Sequence, residues 1–282
     1  MNAASDPQAG TPSAAGDAAL APESAKPPFS DHFSAVAAQY ASARPEYPEA
    51  LFDWIASLVA SRDAAWEAGC GSGQATRGLA SRFARVYATD PSAAQIAQAK
   101  GPANVEFAVE PAEACGLPDA SVDAVCVAQA LHWFDRPRFF AECARVLKPG
   151  GVLVAWGYQD IVVPEDVRAA VGDFSARIRD AWPTERYLVD RAYIDFLPLF
   201  DAPPFERVAI DDPPVREMTV EWPLMRMLDY FSSYSAVKRY REANGVDPVA
   251  AHAWDIAIAW RDSEKTRRLR WPLFAHARRK RA

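Results

Sequence analysis

Short apolar runs alternate with helical patterns through the middle of the chain. The runs lie at residues 64–68, 86–89, 105–109, 122–128 and 151–157. Candidate helices lie between them, near 74–84, 92–100 and 136–147. A nearly continuous apolar run predicts a strand buried on both faces, and strands that alternate with helices form parallel sheets. The pattern therefore predicts a doubly wound α/β fold that binds its ligands at the carboxyl ends of the strands.

The segments on either side of this alternation have different patterns. Residues 1–28 carry almost no bulky apolar side chain, and this composition predicts a disordered tail without a secretory signal. Apolar residues recur at helical spacing in 48–60, which predicts a helix with one apolar face. Beyond Tyr158, prolines interrupt mainly helical patterns, with a short strand near 205–210. Residues 267–277 alternate as a final edge strand does.

Composition narrows the class of protein. The chain has 282 residues, of which 50% are hydrophobic, and no run approaches the ~18 apolar residues of a membrane-spanning helix. A net charge of −6 gives no general reason to bind nucleic acid or an anionic membrane. The four cysteines form no CxxC pair, so structural zinc is not expected. We expect a soluble cytoplasmic protein.

A glycine-rich turn follows the first predicted strand, where residues 67–73 are EAGCGSG. Glycines let the backbone turn tightly and approach a ligand closely. A dinucleotide fingerprint would need a third glycine at one of two positions that are occupied by Gln74 and Thr76. Glu67, two residues before the first glycine, disfavours a pyrophosphate and favours a cationic ligand. The turn therefore argues against NAD.

Acidic residues also follow the second and third predicted strands. Asp90 can accept hydrogen bonds from both hydroxyls of a ribose, and its alternative role is to cap a helix before Ser92. Glu113 can accept a hydrogen bond from the exocyclic amine of adenine. An isolated glutamate at such a place is also an ordinary first-turn helix residue.

Five segments combine these elements into one signature. They are EAGCGSGQAT (67–76), ATD (88–90), VEPAEACGLPDASVDAV (109–125), QALHWF (129–134) and RVLKPGG (145–151). Together they resemble the class I S-adenosylmethionine-dependent methyltransferases. The segment FSAVAAQYASARPEYP (33–48) is similar to their small-molecule branch of type 11, which includes the trans-aconitate methyltransferase-like proteins. The resemblance is dense from 33 to 157 and thin beyond.

The resemblance implies a Rossmann-like, mostly parallel sheet of seven strands with a helical lid after the fifth. Residues 29–282 would form one methyltransferase domain. Its parts would be N-terminal cofactor-capping helices (29–60), a cofactor-binding core (61–158), a substrate lid that includes the strand near 205–210 (159–265) and a final edge strand (266–277).

It also implies which residues contact the methionine part of S-adenosylmethionine. Gly69, Gly71 and Gly73 would shape the turn beneath it, and Glu67 would support its amino group. Gln129, at the end of the fourth strand, would lie near the sulfonium.

For the nucleoside part, the resemblance implies another set of contacts. Asp90 would hold the ribose hydroxyls, and Pro91 would pack on the adenine face. Ala112 and Glu113 would meet the adenine edge through backbone and side chain.

Three residues of the N-terminal segment are candidates for a lid. Tyr40 would cap the cofactor, while Arg44 and Tyr47 would face the substrate, with Arg44 available to a carboxylate. The alternative is a helix end followed by a turn that Pro45 and Pro48 set, with a solvated arginine. The match in spacing favours the lid.

Other candidates lie near the expected site of methyl delivery. His132 can act as a general base, although a packing or hydrogen-bonding histidine is the commoner case. Trp133 is expected to be a pocket wall. The aromatic segment 222–240, which includes Tyr234, is predicted to form the core of the lid or to line an apolar pocket. Cys70 lies in the glycine turn without a histidine partner in the sequence, so a packing role is favoured over a nucleophile.

The sequence thus predicts a methyltransferase that acts on a small molecule, converts S-adenosylmethionine to S-adenosylhomocysteine and needs no metal. Holding the reactants in line supplies much of the catalysis, so no acid–base pair is obligatory. The branch favours carboxylate O-methylation, with Arg44, Arg226, Lys238 and Arg239 as candidate cations. The alternatives are a cofactor-binding sensor without catalysis, an NAD-dependent oxidoreductase and a nucleic-acid methyltransferase. The basic end, residues 278–281, is expected to be merely solvated.

Overall fold

The computed structural model describes residues 44–208 and 213–281. Within these ranges the strands are β1 Ala64–Ala68, β2 Arg85–Asp90, β3 Val105–Val109, β4 Val122–Ala128, β5 Leu147–Tyr158, β6 Phe205–Arg207, β7 Glu217–Trp222 and β8 Arg267–Lys280. The helices are α1 Glu49–Ser57, α2 Thr76–Ala80, α3 Ala93–Gln98, α4 Arg136–Val146, α5 Arg168–Arg177, α6 Arg186–Asp190, α7 Leu197–Phe200, α8 Leu224–Ser232, α9 Ser235–Asn244 and α10 Pro248–Trp260.

The sheet has the strand order β3-β2-β1-β4-β5-β8-β6, and β7 pairs with β8 off this path. Strands β1 to β5 are parallel, whereas β8 runs antiparallel to β5. The order reverses between β1 and β4, which is the position where open α/β sheets bind ligands. This is the Rossmann-like architecture that the sequence predicts.

Two apolar cores cover the two faces of the central strands. Alternate residues of β1 belong to different cores: Ala65 lies in the same core as Leu51 of α1, and Trp66 packs against Phe139 of α4. The buried carboxylate of Asp123 in β4 accepts hydrogen bonds from the backbone amide of Ala64 at 3.0 Å and from Lys148 Nζ at 2.8 Å. This central part of the sheet is therefore a rigid base for the loops at its carboxyl edge.

The final strand differs from the prediction, because β8 is not at the edge of the sheet. It extends from Arg267 to Lys280, and its C-terminal end lies between β5 and β6. Its N-terminal end pairs with β7, which the sequence did not predict. Met218, Val220 and Trp222 alternate with polar residues in β7, which is a strand pattern, although only Met218 is buried. The predicted strand near 205–210 is present as β6, and residues 209–212 lie outside the described ranges.

The basic C-terminal end is largely used within the fold. Arg279 donates hydrogen bonds to the carbonyls of Gly150 at 2.7 Å and Leu58 at 2.8 Å, and Lys280 donates to the carbonyl of Leu147 at 2.7 Å. These charges tie β8 to its neighbours, which differs from the expected solvated end.

The predicted tail at 1–28 and the helices expected before residue 44 lie outside the described residues. The helical stripe predicted between 222 and 241 is two helices, α8 and α9. Whether the helices after β5 act as a lid stays a prediction. Across the described ranges we find no helix of the length and apolarity that a bilayer crossing requires.

Candidate active site

The glycine turn after β1 has the backbone conformation that its sequence predicts. Gly69, Gly71 and Gly73 have φ values of 70°, 55° and 87°, a region that side chains with a Cβ rarely adopt. A Cβ on Gly69 would also lie 2.7 Å from the Cβ of Ala130. A Cβ on Gly71 would have Oε1 of Gln95 as its nearest described neighbour, at 3.9 Å. The turn is therefore tightly packed at its start and open at Gly71.

Asp90 binds the same turn from the end of β2. Its Oδ2 accepts a hydrogen bond from the Gly71 amide, and its Oδ1 accepts one from the Ser92 amide, both at 2.9 Å. Ser92 itself caps α3, because its hydroxyl accepts a hydrogen bond from the Gln95 amide. Ser92, and not Asp90, is thus the helix cap, and the Asp90 carboxylate lies at the carboxyl edge beside Gly71.

Glu67 lies beneath the turn and is only 1% exposed. Its Oε2 accepts a hydrogen bond from the Thr76 hydroxyl at 2.5 Å. Burial, with a smaller contribution from the charge of Asp90 and against the lowering effect of Thr76, raises the pKa of the Glu67 carboxyl to about 8. A positive charge placed nearby would favour ionisation of this carboxyl.

Sequence reasoning missed Gln95, which lies in the first turn of α3. The residue is 5% exposed, and its Oε1 accepts no hydrogen bond from any described residue. This oxygen faces Gly71. The available signal was its place three residues after Ser92, on the helix that directly follows Asp90.

Gln129 occupies the end of β4 at the reversal of strand order. It is not a glycine, yet its φ is 53°, a strained conformation that costs roughly 1–3 kcal/mol and clusters at functional sites. Its Nε2 donates a hydrogen bond to the carbonyl of Tyr158 at 2.9 Å. Its Oε1 is buried and has no donor within 44–208 or 213–281. Gln129 thus directly follows β4 at the carboxyl edge, and its place near the sulfonium stays a prediction.

The residues expected at the adenine edge follow β2 and β3. Pro91 is partly exposed and Ala112 is 2% exposed. Glu113 uses its Oε1 to accept a hydrogen bond from the backbone amide of Asp135 at 2.7 Å, which ties this loop to the N-terminus of α4. Its carboxylate therefore has a structural role, and contact with adenine stays a prediction.

Arg44 and Tyr47 join the central sheet to the helices after β7. Arg44 Nη1 donates a hydrogen bond to the Tyr158 hydroxyl at 3.2 Å, and its guanidinium lies 5.0 Å from the ring centroid of Tyr230 and 5.4 Å from that of Tyr234. Tyr47 is buried and packs against the Tyr158 ring at 6.1 Å. Gln129 binds the backbone of Tyr158, so this tyrosine connects Gln129 to Arg44.

Three of the predicted lid residues, Arg44, Tyr47 and Tyr234, therefore lie in one cluster. Tyr158 and Tyr230 complete the cluster, and neither was predicted as a site residue. Burial raises the pKa of the Tyr234 phenol well above its usual value, so this side chain stays protonated. Tyr40 lies outside the described residues.

His132 and Trp133 lie on a short 3-10 turn after β4, Leu131–Trp133. His132 is buried, and its Nδ1 is 2.7 Å from the Tyr193 hydroxyl. The Trp133 ring lies 4.7 Å from the imidazole and is partly exposed. Tyr193 was not predicted, because it lies 61 residues further along the chain.

Neither thiol chemistry nor a metal centre is evident in the described residues. The cysteines Cys70, Cys115, Cys126 and Cys143 are all buried and free. Burial raises the pKa of the Cys70 thiol, which disfavours the nucleophilic thiolate. No group of three or more His, Cys, Asp or Glu side chains in this part of the chain could hold a metal ion.

Comparison with known proteins identifies the family. Residues 66–155 match the model of a family described as a methyltransferase domain. A protein of Dictyostelium discoideum that is named as a methyltransferase is 34% identical over 224 residues, which cover 78% of this chain and 82% of that protein. The chain belongs to the methyltransferase family. A solved structure named as a type II methyltransferase, from Anaeromyxobacter dehalogenans, is 41% identical with a TM-score of 0.74 and covers 83% of this methyltransferase and 97% of its own chain.

Another relative, which matches a smaller part of the chain, has a cofactor in its name. A Saccharomyces cerevisiae protein named as an S-adenosylmethionine-dependent methyltransferase is 31% identical over 130 residues, which cover 43% of this chain and 45% of that protein. The names of these three proteins specify no substrate, so the trans-aconitate-like branch stays a prediction.

Proposed function

We propose that this methyltransferase uses S-adenosylmethionine to methylate a small molecule at a carboxylate oxygen. The observation that carries the proposal is the pair of acidic side chains at the glycine turn, with Glu67 beneath it and Asp90 bound to Gly71. The two carboxyl groups raise each other's affinity for positive charge. S-adenosylmethionine carries positive charge on its sulfonium and its amino group, whereas NAD would bring a pyrophosphate.

The residues present fit this cofactor. Oε1 of Gln95 and Oε1 of Gln129 are buried acceptors to which no described residue donates, and a ligand with hydroxyl and amino groups can supply donors. We assign Glu67 to the amino group and Asp90 to the ribose, with Gly69, Gly71 and Gly73 lining the methionine part. Pro91, Ala112 and Glu113 are assigned to adenine. When bound, S-adenosylmethionine supplies an activated methyl group on its sulfonium.

The chain's own contribution is orientation and exclusion of water. Tyr47, Tyr230 and Tyr234 are all less than 8% exposed, and their rings surround the Arg44 guanidinium or pack against Tyr158 beside it. Correct placement of two reactants can lower a barrier by roughly 7–11 kcal/mol. A carboxylate acceptor needs no base, because its oxygen already carries the electron pair that attacks the methyl carbon.

Arg44 is the cation that we assign to the acceptor. It is joined through Tyr158 to Gln129, at the carboxyl edge of the sheet. The guanidinium of Arg226, by contrast, lies over the Trp222 ring, 5.2 Å from its centroid. Lys238 and Arg239 lie on α9. A planar guanidinium can bind a carboxylate with two parallel hydrogen bonds, which favours Arg44 for this role.

The test is product formation with a panel of small carboxylic acids. The protein is incubated with methyl-labelled S-adenosylmethionine and each acid, with the matching alcohol as the paired control, and S-adenosylhomocysteine and the labelled ester are measured. We expect turnover with at least one acid and none with its alcohol. Arg44→Met should raise the KM for that acid at least tenfold, and Arg226→Met should leave it unchanged. Turnover of alcohols alone, or of no compound, would contradict the proposal.

A further inference from the structure

The hydroxyl of Tyr193 has one hydrogen-bond acceptor within reach among the described residues. The side chain is 0% exposed, and its oxygen lies 2.7 Å from Nδ1 of His132. Its ring stacks on Phe196 with a centroid distance of 5.4 Å and meets Phe274 edge-on at 5.1 Å. Two apolar rings therefore pack on the phenol ring, and the backbone N–H of His132 is a further donor to its oxygen.

This environment fixes the direction of the hydrogen bond. Burial raises the pKa of Tyr193, so the phenol keeps its proton. A buried O–H group without an acceptor loses its hydration with no compensation, so the hydroxyl must donate to Nδ1 of His132. An Nδ1 that accepts a hydrogen bond carries no proton. The neutral imidazole then has its proton on Nε2, on the opposite side of the ring.

The backbone holds Tyr193 in this orientation despite its cost. Ala192 and Tyr193 both have positive φ values, 52° and 57°, which are unfavourable for residues with a Cβ. The carbonyl of Ala192 accepts a hydrogen bond from Nε2 of His276 at 2.7 Å, which anchors the turn to β8. A strained conformation that its surroundings enforce is a common feature of functional sites.

The pair also adjoins the end of β4 where the methyl group is expected. His132 follows Gln129 by three residues. A Cβ on Gly157 would lie 2.4 Å from Oε1 of Gln129 and 2.7 Å from the Phe274 ring, and that ring packs on Tyr193. A row of neighbouring residues therefore joins Gln129 to Tyr193 through Gly157 and Phe274.

We propose that Tyr193 is a positioning residue that fixes His132 as the Nε2–H tautomer, so that His132 donates a hydrogen bond to an anionic oxygen of the acceptor. His132 is then not a general base, the role considered from the sequence. The assignment of an acceptor rests on the proposed function. In the reaction the carboxylate oxygen forms a bond to the methyl carbon, the carbon–sulfur bond breaks with its electron pair going to sulfur, and no proton moves.

The tautomer can be measured without any substrate. Long-range proton–nitrogen correlation spectra of the full-length protein, uniformly labelled with nitrogen-15, distinguish a protonated from an unprotonated ring nitrogen at pH 7. His132→Gln assigns the signals of His132, and His252→Gln serves as the control assignment. We expect an unprotonated Nδ1 and a protonated Nε2 in His132, and Tyr193→Phe should convert this pattern to a mixture. A proton on Nδ1 of His132 in the wild type would overturn the proposal.

Kinetics then separate a donor from a base. Glutamine offers an N–H group but does not titrate, so His132→Gln should keep the kcat for the preferred acid within about tenfold, whereas His132→Leu should raise its KM by more than tenfold. Loss of a general base would lower kcat by roughly 10²–10⁴-fold in both variants. Equal loss in both variants, with binding of S-adenosylhomocysteine intact, would overturn the donor role. Failure of the wild type to bind S-adenosylhomocysteine would instead contradict the proposed function, and the spectra would still decide the tautomer.

Discussion

The carboxylate of Asp90 accepts a hydrogen bond from the Gly71 amide at 2.9 Å, so the end of β2 holds the turn that follows β1. The pairing register places the last residue of β1, Ala68, opposite Thr89, which directly precedes Asp90. The carbonyl of Thr89 also accepts hydrogen bonds from the amides of Gly69 and Cys70, at 2.8 and 2.9 Å. Hydrogen bonds from the sheet itself thus organise the turn.

Asp90→Ala should weaken the binding of S-adenosylhomocysteine at least tenfold, because it removes both the ribose acceptor and a constraint on the turn. Two lost hydrogen bonds should also lower the free energy of unfolding by about 1–3 kcal/mol. Isothermal titration calorimetry and urea unfolding measure the two effects. Asp195→Ala is the control, since it removes an acidic residue that pairs with Arg191 on the surface. Unchanged affinity in Asp90→Ala would exclude the ribose assignment.

Gly69→Ala and Gly172→Ala should change stability in opposite directions. At Gly69 the new Cβ meets Ala130 at 2.7 Å with a φ of 70°, so we expect a loss of at least about 1 kcal/mol together with weaker cofactor binding. Gly172 lies within α5, where a Cβ meets no described atom within 4 Å, so alanine should stabilise the protein by about 0.5–1 kcal/mol. Thermal denaturation compares the two variants. A Gly69→Ala protein as stable as the wild type would contradict the geometry of the turn.

Glu67→Gln should flatten the pH dependence of stability. Burial raises the pKa of this carboxyl from 4.5 to about 8 in the folded protein, so between these values the folded state binds a proton that the unfolded state lacks. The free energy of unfolding therefore falls as the pH rises through this window, by at most about 1.4 kcal/mol per unit from this group. Urea unfolding at pH 6 and pH 8.5 should show a smaller difference in the variant. An equal difference in both proteins would mean that Glu67 is ionised in the folded state at neutral pH.

Gln95→Met should stabilise the protein and weaken its cofactor binding. The substitution removes a buried oxygen that no described residue satisfies, while it roughly preserves the side-chain volume. If this oxygen accepts a hydrogen bond from the ligand, affinity for S-adenosylhomocysteine should fall about tenfold. The two effects have opposite signs, which a general packing defect does not produce. If the variant binds S-adenosylhomocysteine with the affinity of the wild type, Gln95 does not contact the ligand.

The sequence predicted the strands that are buried on both faces. The bounds of β1 and β4 match the predicted runs, because every residue of β1 and all but the last of β4 are buried and most of them are apolar. The strand β7 was missed, although Met218, Val220 and Trp222 alternate with polar residues there. The interior position of β8 also depends on pairing with β6 and β7, which come from distant parts of the chain.

The same difference separates the site residues that could be predicted, which depend on local sequence, from those that depend on distant contacts. Gly69, Gly71 and Asp90 were predictable, since each lies at a strand end and carries its own chemical signature. The contact of His132 with Tyr193 depends on a turn 61 residues away. Tyr158 is the last residue of β5, but its link to Arg44 spans 114 residues, a distance over which a single sequence gives no pairing signal.

A thermal-shift comparison of S-adenosylhomocysteine with NAD, at matched concentrations, tests the central claim most directly. A ligand present at ~100 times its Kd stabilises the folded state by about 2.7 kcal/mol, which corresponds to roughly 5–10 °C for a chain of this size. We predict a shift of this order with S-adenosylhomocysteine, a much smaller one in Asp90→Ala, and none with NAD. A shift with NAD alone, or no shift with either ligand, would contradict an S-adenosylmethionine-dependent methyltransferase.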